Sequence, residues 1–87
     1  MDFEFDGAKS LVNKSKHGID FVEAQLLWLD DMLIEISART SDEPRFLVVG
    51  RIGAKHWAAV ITYREDRVRI ISVRHARREE VEIYEGP

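Results

Sequence analysis

The chain has 87 residues, no cysteine, 45% hydrophobic and 33% charged residues, and a formal charge of −3 at pH 7. A chain this short forms one domain, taken as residues 1–87, and buries only about 60–65% of its unfolded surface. The totals exclude a disulfide scaffold, a thiolate zinc site and a disordered chain, and no apolar run is long enough to span a membrane.

The net charge conceals an asymmetry. Between Pro44 and Arg78 nine Lys/Arg stand against Glu65 and Asp66, a balance of +7, while the remainder sets four against fourteen, a balance of −10. The local field steers a charged ligand more than the total does, so an acidic pI leaves a polyanionic partner open.

In chain order, "MDFEFD" has neither the basic nor the apolar region of a secretory leader, and a cytoplasmic protein is expected. Asp6 is the predicted N-cap of a first helix, with Ala8, Leu11, Val12 and Ser15 as its apolar stripe and Gly18 as its terminator. Lys16 and His17 sit in its last turn, where cations suit the helix dipole. A second helix is predicted from Asp20, with Asp20 and Glu23 at capping-box spacing and Phe21, Ala24, Leu27 and Trp28 as its inner face. Asp30-Asp31 ends it.

The period then changes to two. Residues 33–39 alternate as a strand, 41–44 form a turn, and 45–50 form a second strand. Residues 56–64 and 67–74 form a hairpin around Glu65-Asp66. A last helix is predicted within 76–85, resting on Val81 and Tyr84. The expected class is α+β: two N-terminal helices, a four-stranded antiparallel sheet and a short C-terminal helix.

The stretch "RIISVRHARREE" concentrates guanidiniums at the end of a strand. Arg64, Arg67, Arg69 and Arg74 flank the hairpin, and like charges that close call for an anion between them. A phosphodiester fits, because arginine binds phosphate oxygens bidentately. Arg77 and Arg78 read instead as a solvated edge paired with the following glutamates. Register leaves one question open. With a two-residue loop alone, Arg74 lies behind the sheet from Arg64, and a bulge reverses this.

His17 can transfer protons near neutral pH. Glu80 is the carboxylate expected nearest the arginines, and Tyr84 is a reserve proton-transfer or stacking group. Trp28 and Trp57 read as core. His17, His56 and His75 lack metal-ligand spacing, and no Walker loop, GxGxxG or nucleophile elbow occurs, so neither a metal nor a cofactor is expected.

These residues, in this order, resemble the BrnT family of type II toxins, which have a RelE-like ribonuclease fold. "FEFD" (3–6) matches the family's "F-E-W-D" opening, with Phe5 where tryptophan is usual. Lys9 and Asn13 follow, then "KHG" with Ile19, and "F-x-E-A" as Phe21 to Ala24. "E-x-R" falls at Glu43 to Arg45 with Gly50 after it. "T-x-R" falls at Thr62 and Arg64, and "R-I-I-S-x-R-x-A" runs from Arg69 to Ala76. The trailing glutamate and tyrosine are Glu80 and Tyr84. "WLDD" (28–31) replaces the family's "F-x-D-P".

The resemblance implies a metal-independent endoribonuclease that inhibits translation and leaves 2′,3′-cyclic phosphate and 5′-hydroxyl ends. It implies a BrnA-like ribbon-helix-helix antitoxin as partner, with promoter DNA bound only through their complex. The expected catalytic residues are Arg64, Arg74, Glu80 and His17, and the expected RNA-binding residues are Lys16, Arg45, Arg69 and Tyr84. The competing reading is a non-catalytic module whose cationic sheet docks an acidic protein or RNA. A DNA-binding helix pair fits poorly, since residues 21–29 carry Glu23 and no Lys or Arg.

Overall fold

The computed structural model describes residues 1–38 and 43–86. Strand β1 (Asp2–Glu4) leads into α1 (Gly7–His17), a 3-10 helix (Glu23–Leu29) and strand β2 (Ile34–Ala38). Strands β3 (Arg45–Ile52), β4 (Lys55–Arg64) and β5 (Arg67–His75) and helix α2 (Arg78–Glu85) follow. Arg39 and residues 41–42 of the expected turn lie outside the described residues.

The expectation of a four-stranded antiparallel sheet behind two N-terminal helices is corrected. Among the described residues the sheet has five strands in the order β1-β5-β4-β3-β2, and β1 runs parallel to β5. Three residues of β1 are too few to display a period of two. They are ordered by pairing Glu4 with Arg69, a contact across most of the chain. The second helix is 3-10 rather than α. Its predicted capping box does form: Glu23 N donates to Asp20 Oδ1 at 2.7 Å and Asp20 N donates to Glu23 Oε1 at 3.0 Å.

Phe21, Ala24 and Leu27 pack with Ile19, Val48, Trp57, Ala59, Ile61, Val68, Ile70 and Val73 in one core. Phe3 meets Trp28 edge-on at 4.9 Å, so both tryptophans serve the core side of the sheet. On the sheet's other face, Val49 and Ala58 are buried outside that core, and α2 packs across β3.

Helix α1 also departs from its predicted face. Asp6 caps it through Ala8 N and Lys9 N, as expected. However, Leu11 and Val12 are 75% and 62% exposed, while Ser10 and Asn13 are buried. Past the three residues of β1, the outer edge of β5 has no strand partner among the described residues, and α1 covers it. Asn13 Nδ2 donates to Val73 O at 2.9 Å and to Ile19 O at 2.8 Å, and Val73 N donates to Asn13 Oδ1 at 3.2 Å. The amide of Asn13 thus takes the place of a neighbouring strand, satisfying backbone groups that an open edge leaves unpaired.

Gly50 sits where the end of the 3-10 helix crosses β3. A Cβ there would lie 2.8 Å from Leu33 Cδ1, 3.1 Å from Asp30 Oδ2 and 3.2 Å from Leu27 Cδ2. Asp30 cannot yield easily, because its carboxylate accepts from Met32 N, Arg51 N and Tyr84 Oη. Gly50→Ala is therefore expected to destabilise by about 1–3 kcal/mol, as overpacking does, with urea unfolding as the check.

Candidate functional site

Register decides where the arginines point. Alternation places Ala58, Val60, Thr62 and Arg64 on one face of β4. Their partners on β5 are Arg74, Ser72, Arg69 and Arg67. The turn holds two residues, with Glu65 in the left-handed region at φ 57°, and the pairing shifts between Val60 and Ile61, where Ile71 is the extra residue. That bulge returns Arg74 to the face of Arg64, the face opposite the main core. Arg64 lies six positions along β4 from Ala58, so the row Arg67, Arg69, Ser72, Arg74 extends about 20 Å at ~3.3 Å per residue.

The structure thus forms a track rather than a cage around one phosphate, and each end holds its own carboxylate. At one end, Glu4 Oε2 lies 3.0 Å from Arg69 Nη1 and 3.9 Å from Arg64 Nη1. At the other, Arg74 binds Glu80 bidentately, Nη1 to Oε1 and Nη2 to Oε2, both at 2.8 Å. Glu80 Oε1 also accepts from Arg77 N at 2.8 Å, which fastens the start of α2.

Arg74 holds the Glu80 carboxyl below its ordinary value, and this outweighs burial, with the Arg77 N–H adding in the same direction. Glu80 is thus held as a carboxylate at neutral pH, gripped in plane by the Arg74 fork. Because the folded-state value is depressed, the stabilisation is fully present above the ordinary 4.5 and is lost as pH falls through the folded value. Asp30 acts in the same sense. Burial pushes it up, but the hydrogen bonds from Tyr84, Arg51 and Met32 prevail and lower it. Urea midpoints are expected to fall as pH drops below 4.5, and Glu80→Gln is expected to make that fall shallower.

Tyr84 stands apart from the track. Its hydroxyl donates to Asp30 Oδ2 at 2.6 Å, and this bond, with burial, raises its pKa to about 12. Tyr84 moors α2 to the end of the 3-10 helix. His56 Nε2, 2.6 Å from Glu85 Oε2, adds a second mooring. Arg78 pairs with Glu82 at 3.4 Å on the open surface, the solvated edge expected for it. Arg45 opens β3 opposite Ala38, on the far side of β4 from the row on β5.

Lys16 and His17 lie elsewhere than the hairpin but beside its row. With Lys9, Val12, Asn13, Ile71 and Ser72 they line a cleft of about 210 Å³ between α1 and β5. Among the described residues neither Lys9, Lys16 nor His17 has an ion-pair partner within 4.0 Å. Among the described residues, the lining of this cleft beside the middle of the row carries Lys9 and Lys16 and no carboxylate. A larger hollow of about 480 Å³, lined by Leu26, Leu29, Asp30, Met32, Arg51 and Tyr84 among others, has its polar groups tied up internally.

Sequence reasoning named Glu4, Lys9 and Ser72 only as parts of the family motifs and gave them no place at the site, where the structure sets them beside the arginine row. Glu4 is brought to the arginines by the pairing of β1 with β5, which the "FEFD" motif alone does not reveal.

A family model described as "Ribonuclease toxin, BrnT, of type II toxin-antitoxin system" matches residues 5–80. The chain belongs to the BrnT family of ribonuclease toxins. A type II toxin of this family implies an antitoxin partner and an RNA substrate. No curated protein matches the chain. The BrnT match spans β5, the α1 cleft and Glu80, and ends within α2. Among the described residues no helix is long and apolar enough to cross a membrane.

Proposed function

We propose that this BrnT toxin cleaves single-stranded RNA laid along the β5 face, without a metal ion, and so stops translation in the cytoplasm. The observation that carries this reading is the cleft beside the middle of the row, its lining free of carboxylates among the described residues, where His17 and Lys16 meet Ser72 one step from Arg74. Arg64 and Arg69 hold a flanking phosphate at one end, exchanging Glu4 for it. Arg45 guides the strand beyond the hairpin.

In this reading the scissile phosphate lies between Arg74 and the α1 cleft. The substrate 2′-oxygen attacks phosphorus while its proton passes to His17. The P–O5′ bond breaks, and Lys16 Nζ–H protonates the departing O5′. His17 and Lys16 then exchange that proton through solvent. The products are a 2′,3′-cyclic phosphate and a 5′-hydroxyl. Arg74, held in plane by Glu80, neutralises the phosphorane. A preorganised donor at a developing oxyanion contributes roughly 2.7–4 kcal/mol, and proton transfer contributes about 10²–10⁴-fold. Glu80 and Tyr84, candidates for proton transfer on sequence grounds, serve as a positioning residue and a mooring.

The partner proposed is a BrnA-like ribbon-helix-helix antitoxin that covers the cationic face and carries the pair to its promoter. Growth after induction without an antitoxin gene tests the function. Arrest with wild type but not with His17→Ala or Arg64→Ala supports the nuclease. Tight RNA or protein binding with no arrest supports a non-catalytic module instead.

A further inference from the structure

The cleft between α1 and the β5 bulge is more specific than a phosphate track requires. A row of arginines alone would suffice to hold a backbone, yet here a concave, partly apolar hollow opens beside the row. It exists because two local irregularities coincide. Asn13 draws α1 against the edge of β5 at Val73, and the bulge inserts Ile71 two residues before it. Val12, 62% exposed despite its apolar side chain, lines the hollow together with Ile71. Lys9 and Lys16 lie among the lining residues, and Ser72, exposed on the strand, adds a hydroxyl.

We infer that this cleft seats the base of one unpaired nucleotide next to the scissile phosphate and sets the toxin's sequence preference. The inference rests on the ribonuclease reading for its substrate class, but the seat itself requires only binding. A cleft of about 210 Å³ between α1 and β5 offers room for a single base. Val12 and Ile71 offer the apolar contact that a base face seeks once it is unstacked. Ser72 Oγ donates or accepts at a base edge, which is the chemistry that tells bases apart. Lys9 neutralises the adjoining phosphate. Double-stranded RNA cannot deliver a base there, because its bases are stacked and paired.

The test uses RNA pentamers with every 2′-hydroxyl methylated, so that binding is measured without cleavage. Fluorescence anisotropy is read for homopolymers of A, C, G and U with wild type, Val12→Trp, Ser72→Ala and Leu11→Trp. Val12→Trp fills the cleft and is expected to weaken binding at least tenfold. Leu11→Trp, at a neighbouring position 75% exposed and outside the lining, is expected to bind as wild type does. Ser72→Ala is expected to narrow the spread of affinities among the four homopolymers. Melting temperatures confirm that each variant is folded.

The inference is overturned if Val12→Trp binds like wild type, or if wild type binds none of the pentamers. The ribonuclease reading fails separately. If wild type leaves unmodified RNA intact while Val12→Trp still abolishes pentamer binding, the seat stands and cleavage falls. If Val12→Trp cuts the same phosphates as wild type at the same rate, cleavage stands and the seat falls.

Discussion

Arg74→Ala is expected to lower RNA cleavage by about 10²–10³-fold, the loss that follows removal of one well-placed charge at a developing oxyanion. The same change strands Glu80, whose carboxylate is only 12% exposed and otherwise keeps a single bond from Arg77 N. A stability loss of about 2 kcal/mol should accompany it, typical of hydrogen bonds to charged groups. Two further variants separate the effects. Arg74→Lys keeps the charge but forfeits the fork that grips both Glu80 oxygens, so it should retain intermediate activity. Glu80→Gln keeps one acceptor oxygen and should cost about tenfold, the loss expected of a positioning residue. A fall in activity with Glu80→Gln as deep as with Arg74→Ala would instead make Glu80 a catalytic base. Single-turnover rates with each folded variant decide the matter.

Asn13→Leu is expected to produce the largest loss of stability. The native side-chain amide serves three backbone groups, Ile19 O, Val73 O and Val73 N, all in a buried setting. Leucine leaves them without partners, and each orphaned group costs about 1–3 kcal/mol. A total near 3 kcal/mol is expected once water reaches part of the edge, or roughly 12–24 °C in Tm for a domain of this size. Small domains have only about 5–15 kcal/mol to lose. Hydrogen exchange at the β5 amides should accelerate together with the fall in Tm. An Asn13→Leu variant as stable as wild type would mean that α1 is held to the sheet by apolar contact alone.

Asn13 also shows why part of the fold was illegible beforehand. Read by periodicity, α1 offers Leu11 and Val12 as its inner stripe, yet it buries Ser10 and Asn13. Hydrophobic pattern finds the inner face of a helix that lies on apolar side chains. This helix lies against the backbone edge of a strand, where an amide serves better than a leucine. The meander from β2 to β5 was legible because alternation and turn residues are local. Strand β1 was not, since three residues owe their order to a partner some sixty positions away.

The site divides along the same line. The arginines of "RIISVRHARREE" stand out from composition alone, and His17 and Lys16 from their place at a helix end. Which face Arg74 occupies depended on a bulge at Ile71, and a bulge leaves no mark in a β-branched run such as "RIISV". Glu4 and Glu80, the anions that let neighbouring guanidiniums coexist, come from opposite ends of the chain. The exposed apolar residues Leu26, Leu29 and Met32 gather around the larger hollow.

The most direct test of the central claim is to incubate the purified toxin with single-stranded RNA in excess EDTA and to identify the new ends chemically. The account predicts cleavage that persists under chelation, with every new 3′ end a 2′,3′-cyclic phosphate, and its loss in His17→Ala. Cleavage that stops with EDTA and returns with a divalent cation, or products bearing 5′-phosphates, would contradict it.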